Sequence, residues 1–335
     1  MTNRRTFLKE AAACTGALAI AANTARAADW KKQVGLELYT VRDLTAKDYE
    51  GTVAKVAEIG YKEVEAATDY ANLEPKQFRA MLDRYGLTMP STHVGATAGP
   101  DLEKQLEGFQ IMGIQYTEIR GGGGRGGARG PGTPPGTPPA AQPAVGVAAG
   151  VAAGLAARGP RPGGDAQTEE SVKLTAGQLN QNGKLVKKFG MKILVHNHTM
   201  EFQALEGSKL RPYDVLLAET DPALVAMQLD IGWASVAGQD ILQMFKTHPG
   251  RFELWHVKDA KGIKVMNAQM TQQERQRSAI LVPVGLGEVD YKPIFAAAGL
   301  AGMKHYCIEQ DNAADWGDSV AAARKSYQNL VKMLG

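Results

Sequence analysis

Residues 228–259 contain two short apolar runs, and each run ends in a polar side chain. The first run leads to Asp230 and the second to His256, with a helix-length segment between them. A strand, a helix and a second strand with a carboxylate and an imidazole at the strand ends are how a (β/α) barrel presents a metal ion to a substrate. One Asp and one His prove little, so the prediction depends on whether the chain supplies the other strands and ligands.

The rest of the chain alternates short apolar segments with helical segments, several of which stop at a glycine such as Gly60, Gly113 or Gly190. Eight strands alternating with eight helices in 335 residues favour a closed (β/α)8 TIM barrel over a doubly wound open sheet. The predicted strands are 34–41, 62–67, 87–94, 115–120, 191–195, 225–230, 252–257 and 304–309. The predicted helices are 43–59, 74–85, 101–112, 168–189, 212–219, 239–248, 290–298 and 319–334.

The N-terminus has the features of an export signal. Arg4 and Arg5 form a twin-arginine pair, a mildly apolar Ala-rich run follows, and an A-x-A cleavage site ends at Ala27. The apolar run is too short to span a bilayer. The sequence therefore predicts a twin-arginine signal peptide over 1–27, a single barrel domain over 28–335, and an exported, periplasmic protein.

Residues 121–164 interrupt the strand and helix pattern after the fourth predicted strand. They contain 15 Gly and 8 Pro in 44 positions and no acidic or aromatic residue. Such a stretch buries too little apolar surface to offset the entropy of ordering it, which predicts a disordered, low-complexity insertion. The alternative is a lid, because the segment follows a strand and so leaves the barrel at its catalytic end.

The bulk composition excludes some classes of partner. The net charge is +3 and charged residues make up 22% of the chain, so nothing in the charge balance suggests nucleic acid or a membrane surface. The two cysteines, Cys14 and Cys307, do not make a disulfide framework.

Polar residues recur at the carboxyl ends of the predicted strands, where a TIM barrel builds its active site. Four of the chain's six histidines are among them. Carboxylates together with imidazoles suit Mn²⁺, Co²⁺, Zn²⁺ or Mg²⁺, and the absence of a thiolate cluster argues against a structural zinc site. We therefore expect one divalent metal ion. These strand-end residues are Glu37, Tyr39, Glu65, His93, Glu118, the 196–201 cluster, Asp230, His256, Lys258 and Glu309.

Six segments carry a family resemblance: VGLELYTVRD near the start, LVHNHTMEF on strand five, LDIGW on strand six, WHVKDA on strand seven, VPVGLGEVDYKPIF before the last helix pair, and YCIEQD on strand eight. With them the chain resembles the xylose isomerase-like TIM-barrel superfamily, in particular its sugar (phosphate) isomerase/epimerase branch. The resemblance covers about 34–120 and 166–335. The motifs together are specific for the superfamily and weak for the substrate.

The resemblance implies a divalent metal held by a Glu, an Asp, a His and a second Glu from strands five to eight. Asp230, His256 and Glu309 match three of these positions directly. The fourth position departs from the family, because many members have a Glu-Pro pair where strand five of this chain ends in His-Asn-His. The competing residues for the fourth position are His196, His198 and Glu201.

In the epimerase branch, two metal-bound carboxylates face opposite sides of the sugar, and the metal steadies the enediolate formed by proton abstraction α to a carbonyl. If strand five donates a His, Glu309 is the only metal-bound carboxylate base and Glu201 the second acid/base. We therefore predict an isomerase or epimerase of a non-phosphorylated sugar or keto-sugar, since phosphorylated sugars are mainly cytoplasmic. The alternative is a lyase or dehydratase that eliminates from a 3-keto-glycoside or related keto-sugar.

Five further residues are candidates for substrate contact. Lys258 points to the same face as His256 and contacts either a substrate oxygen or, as an internal ion pair, Asp259 or Glu309. The other four have ordinary alternatives, namely barrel-interior hydrogen bonding or packing. The predicted substrate-binding residues are Tyr39, Glu65, His93 and Trp233.

Two other functions compete with the sugar enzyme. Endonuclease IV-type repair enzymes share this barrel but need further histidine ligands, including one three residues after the strand-six Asp, where this chain has Trp233. A catalytically inactive carbohydrate-binding barrel would not need the ligands at strands six to eight. The expected partner is a small-molecule carbohydrate, with no nucleic acid and no membrane span, and the sequence is compatible with a homo-oligomer.

Overall fold

Eight parallel strands close into a barrel in the computed structural model, which describes residues 32–120 and 167–335. The strands follow one another around the barrel in chain order, and the last strand pairs with the first. The predicted TIM barrel is therefore confirmed against the open sheet. The strands are β1 (Gly35–Glu37), β2 (Glu63–Ala66), β3 (Thr88–Thr92), β4 (Tyr116–Thr117), β5 (Lys192–His196), β6 (Val225–Asp230), β7 (Leu254–Val257) and β8 (His305–Ile308).

The helices that surround the barrel begin and end at local signals. Asp48 caps the first helix by accepting from the Gly51 N–H, and Gly60 ends it at a φ of 121°. The helices are α1 (Tyr49–Ile59), α2 (Pro75–Arg84), α3 (Leu102–Met112), α4 (Glu169–Val186), α5 (Pro212–Glu219), α6 (Ile241–Thr247), α7 (Tyr291–Ala296) and α8 (Ser319–Leu334). Shorter helical segments are Leu38–Val41, Arg42–Thr45, Lys187–Phe189, Met200–Phe202, Ile231–Val236, Ile263–Val265, Gln272–Ser278, Ala298–Ala301 and Ala313–Trp316.

Six of the eight barrel strands are shorter than the apolar patterns suggest, and the first and the fourth differ most. The first ends at Glu37, because the Glu37 side chain accepts from the Tyr39 N–H at 3.1 Å and starts the 3-10 turn Leu38–Val41. The fourth divides at Glu118, and its second part, Ile119–Arg120, pairs with Ala96–Thr97 in a separate two-stranded sheet. In both places, a glutamate stands where the barrel strand ends.

Regular structure is also present in residues 260–288, which lie between the seventh predicted strand and the next predicted helix. Asp259–Lys261 pairs with Ile280–Val282 as an antiparallel ribbon, and helix Gln272–Ser278 lies between them. Thr271 begins that helix with a capping box to Glu274. The ribbon starts immediately after β7, so it lies at the carboxyl end of the barrel.

The predicted signal peptide, 1–27, and the predicted insertion, 121–164, lie outside the described residues. In the two described ranges, we find no helix with the length and apolar character needed to cross a membrane.

The barrel interior is filled in layers along its axis. Tyr116, Leu194, Ala226 and Leu254 form a buried apolar layer inside the strands. Because side chains alternate along a strand, the residue two positions after each of these also points inward, one layer nearer the carboxyl end. From β5, β6 and β7 those residues are polar, which creates a buried polar layer above the apolar one.

A second polar cluster closes the opposite end of the barrel around Glu253. Its carboxylate accepts from the Tyr116 hydroxyl at 2.9 Å and pairs with the ammonium groups of Lys304, at 2.6 Å, and Lys192. Burial raises the pKa of Glu253, but the two lysines together lower this pKa by more. The pKa therefore lies below its usual value. This end of a TIM barrel contributes to stability rather than to catalysis.

We therefore expect Glu253→Gln to destabilise the fold by about 2 kcal/mol at neutral pH, the usual cost of losing hydrogen bonds to a charged group. A lowered folded-state pKa means that the wild-type advantage is present above the unfolded pKa of about 4.3 and is lost as the pH falls through the folded value. Urea unfolding of both proteins across this range measures the difference. An unchanged difference between pH 7 and the acid limit would contradict the ionic role.

Candidate metal centre and active site

Four side chains from the ends of β5 to β8 converge at the carboxyl end of the barrel. His196, Asp230, His256 and Glu309 each offer a ligand atom, and these atoms lie within 4.8 Å of one another. All four residues are buried. Strand register brings two of them together directly, because Asp230 is paired with His256 between β6 and β7.

Four buried atoms of this group make no hydrogen bond, which fits a bound cation. Buried and without a hydrogen bond are His196 Nδ1, Asp230 Oδ2, His256 Nδ1 and Glu309 Oε2. The last two atoms lie 2.7 Å apart without hydrogen-bond geometry. Buried polar atoms nearly always make a hydrogen bond, so four that make none in one place, two of them beside the Lys258 ammonium, fit a cation-binding group. Two nitrogen and two oxygen donors suit a divalent ion such as Zn²⁺, Co²⁺ or Mn²⁺.

Asp230 is held by contacts that leave one of its oxygens available. Its Oδ1 accepts from the Trp233 N–H at 2.7 Å and so caps the short helix Ile231–Val236. Asn197 binds both the N–H and the C=O of Asp230, which fixes the end of β6 beside the end of β5. Gly232 allows this helix to approach, since a Cβ there would lie 2.4 Å from the Lys258 carbonyl oxygen. Asp230 is therefore a helix cap and a candidate ligand at once.

His256 is oriented from below by Glu65. The Glu65 carboxylate lies 2.5 Å from His256 Nε2 and also accepts from the Gln228 amide at 2.8 Å. A carboxylate on one imidazole nitrogen leaves the other nitrogen for a metal. Glu65 is fully buried beneath the site, where it positions His256, and its contact with a substrate stays a prediction.

His93 is also engaged inside the barrel. Its Nε2 lies 2.7 Å from the Gln228 amide oxygen, and its Nδ1 lies 3.4 Å from Glu118. The imidazole is within ligand distance of His196 and His256, so these three histidines form a second possible ligand group that overlaps the first. Both ring nitrogens of His93 therefore face internal partners, and its contact with a substrate stays a prediction.

Of the three residues that compete for the strand-five position, only His196 joins the group of four. β5 ends at His196, and the chain then turns before His198. Glu201 is buried and accepts from the His198 N–H at 2.7 Å, so its carboxylate stabilises the turn. His198 thus lies outside the group of four, with its ring 4.9 Å from that of His196, and the roles of His198 as a metal ligand and of Glu201 as the second acid/base stay predictions.

Lys258 lies among carboxylates at the edge of the group. Its Nζ is 3.2 Å from Asp230 Oδ2, 2.9 Å from Glu309 Oε2 and 2.8 Å from Asp311 Oδ2. The predicted ion pair with Glu309 is present, whereas Asp259 turns away and accepts from the N–H groups of a loop. Asp311 is a site residue that the sequence analysis missed, although it directly follows the YCIEQ run of strand eight.

The two aromatic candidates lie on different sides of the site. Tyr39 is half-buried in the turn after β1, with the Arg42 guanidinium 3.9 Å above its ring. Trp233 is buried, and the Lys258 ammonium lies 5.0 Å from its ring. Trp233 therefore packs as a wall beside Lys258, while Tyr39 keeps an exposed surface for a substrate.

The imidazoles of the group differ in their affinity for protons. Burial lowers the pKa of His196 well below its usual value, and the neighbouring imidazoles of His256 and His198 lower it further. Burial lowers the pKa of His256 too, but the carboxylates of Glu309 and Glu65 raise it well above its usual value. A histidine binds a metal through a neutral imidazole, and the lowered pKa of His196 favours that form.

Comparison with known proteins gives the same fold. No family model matches the chain. A sugar phosphate isomerase/epimerase from Parabacteroides distasonis superposes with a TM-score of 0.61 at 19% identity, over 91% of this chain and 100% of that one. The IolI protein, solved with a zinc atom, superposes with a TM-score of 0.58 at 12% identity, over 90% of this chain and 98% of that one. This chain has the TIM-barrel fold of these proteins.

Among curated proteins, this barrel matches the inosose dehydratase of Geobacillus thermodenitrificans at 31% identity over 153 residues. The matched region is 44% of this chain and 50% of the relative, so the chain spans about half the length of the curated relative.

Two variants, His196→Ala and His198→Ala, test whether His196 is the metal ligand that β5 supplies. We expect His196→Ala to lower the affinity for Zn²⁺ or Mn²⁺ by at least about 100-fold, since it removes a ligand, whereas loss of a residue outside the ligands costs less. His198→Ala should keep one ion per chain. Elemental analysis after dialysis, with circular dichroism as the control for folding, measures both. Full metal content in a folded His196→Ala protein would contradict the assignment.

Proposed function

We propose that this barrel is a divalent-metal-dependent lyase that eliminates water or another oxygen substituent from a non-phosphorylated keto-sugar or keto-polyol. The observation that carries the proposal is the composition of the site. Glu309 is the one glutamate in the ligand group of four, and the Lys258 ammonium lies 2.9 Å from it. One base beside one cationic acid fits elimination better than the two opposed carboxylates that epimerisation requires.

The residues support the following proton movements. Glu309 removes the proton α to the substrate carbonyl, and the electron pair forms a carbon–carbon double bond as the adjacent carbon–oxygen bond breaks. Lys258 donates a proton to the departing hydroxyl, which leaves as water. A divalent ion in the site would polarise the carbonyl oxygen and so acidify the α-proton. Glu65 contributes by holding His256 in place.

The described surroundings of the site support a substrate without a phosphate group. Arg42 donates to the Tyr39 carbonyl at 2.8 Å, and Arg120 donates to the His93 carbonyl at 2.6 Å. These two guanidinium groups are engaged with the backbone, and Lys258 is buried among three carboxylates. The ammonium at the ligand group is therefore already neutralised by carboxylates, which favours a substrate without a phosphate. The dehydratase relative points toward an inosose or a similar cyclic ketone.

The fold is shared with sugar phosphate isomerase/epimerase proteins, which keeps the isomerase or epimerase as the second candidate. Incubation of the metal-loaded protein with an inosose, a 3-keto-glycoside and free ketoses in D₂O separates the two reactions. Elimination gives an absorbing enone, or its rearranged product, with loss of water or aglycone. Epimerisation gives deuterium in an intact sugar.

We expect elimination, and we expect Glu309→Gln to lower its rate by about 100-fold or more, because general-base catalysis contributes this much. Asp315→Asn, an exposed carboxylate change in the same loop, is the matched control and should leave the rate unchanged. Deuterium exchange without bond cleavage would favour the epimerase. No reaction with any of these ketones, despite bound metal, would overturn the proposal.

We also propose that the protein acts outside the cytoplasm after export by the twin-arginine route, which rests on Arg4, Arg5 and the cleavage site ending at Ala27. Fractionation of cells that express the full chain should recover the shortened protein in the periplasm. Exchange of both arginines for lysine should retain the uncleaved chain in the cytoplasm. Equal distribution of the two proteins would refute the proposal.

A further inference from the structure

The Lys258 ammonium contacts the same oxygens that a metal ion would use. Asp230 Oδ2, 3.2 Å from Nζ, and Glu309 Oε2, 2.9 Å from Nζ, are among the unpartnered atoms of the ligand group. The Lys258 side chain is itself fully buried. In this structure, therefore, the Lys258 ammonium lies directly beside two of the four ligands.

The local charges show why this arrangement changes when a metal enters. Asp230, Glu309 and Asp311 surround one ammonium, so three carboxylates face a single positive charge. A divalent ion would bring the sum of these four groups to zero. The same ion would repel an ammonium that shares its ligand oxygens, and this repulsion is strong where water is excluded. Occupation by a metal thus favours movement of Nζ away from Asp230 and Glu309.

Asp311 provides the place to which the ammonium can move. Its Oδ2 is already 2.8 Å from Nζ, and it lies outside the group of four ligands. The Asp311 side chain is 29% exposed, against 6% for Glu309 and none for Asp230, so movement toward it is movement toward the mouth of the site.

The Lys258 backbone is fixed, which restricts the movement to the side chain. Its carbonyl accepts from the Tyr291 hydroxyl at 2.6 Å. The next residue, Asp259, accepts from the N–H groups of Gly285, Gly287 and Val289. The face of the Trp233 ring, 5.0 Å from Nζ, lines one side of the path.

We propose that Lys258 is an internal competitor for the metal ligands and that Asp311 is the positioning residue that draws its ammonium away when the metal binds. The exchange sets the metal affinity and brings the Lys258 proton to the substrate side only in the metal-loaded protein. This inference rests on the proposed metal-dependent function of the same site. It adds that Lys258 and Asp311 act on the metal as a coupled pair.

The test is a double-mutant cycle on metal affinity in the full-length protein, measured by calorimetric titration of the metal-free protein with Mn²⁺ and with Zn²⁺. Lys258→Met should bind metal about tenfold more tightly, because the competing cation is gone. Asp311→Asn should bind about tenfold more weakly, because Lys258 then stays on the ligand oxygens. In the Lys258→Met background, the Asp311→Asn change should alter the affinity by less than about threefold.

Asp315→Asn is the control for loss of a nearby surface carboxylate, and thermal melting checks that each variant is folded. Should Lys258→Met fail to fold, Lys258→Gln replaces it in the same cycle. Unchanged or weaker binding by the Lys258 variant would overturn the proposal. An Asp311→Asn effect of equal size in both backgrounds would also overturn it, because Asp311 would then act on the metal directly and not through Lys258. Failure of the wild-type protein to bind any divalent ion would instead overturn the metal-dependent function itself.

Discussion

The constraint on which this structure depends is the burial of several carboxylates at one end of an apolar barrel. A carboxylate removed from water is very unfavourable unless charges or hydrogen bonds compensate it. Each carboxylate here has its own compensation. Glu65 is bound by His256 and Gln228, Asp259 by backbone N–H groups, and Glu309 and Asp230 by Lys258. The compensation of the last two is incomplete, and this is what makes the site a receptor for a cation.

Much of the fold could be predicted because apolar periodicity and glycine stops are local signals. Helix α5 and helix α8 begin and end where the pattern predicts, and so does β6. The corrections concern polar residues that change the backbone path. Glu37 ends β1 early by binding the next turn, a contact that no apolar pattern reports.

The candidate site was predictable where it follows from strand register and less so where it depends on a turn. Asp230 lies four residues beyond the inward-facing Ala226, and His256 lies two residues beyond the inward-facing Leu254, so alternation alone places both inside or at the rim. His196 and His198 have the same parity in the sequence, and the choice between them depends on where β5 stops. Gln228 was missed, although a glutamine inside the apolar run VAMQLD was a visible signal of a buried polar contact.

One motif of the resemblance has a structural explanation that separates fold from substrate. In the GLGEVDY stretch, Gly285, Gly287 and Val289 donate to Asp259, and a Cβ at Gly287 would lie 2.0 Å from Asp259 Oδ1. Tyr291, at its end, binds the Lys258 carbonyl. The motif therefore fixes the strand-seven end that carries His256 and Lys258, which any chemistry at this metal site requires. A match to it therefore reports how the lysine is held and does not identify the substrate.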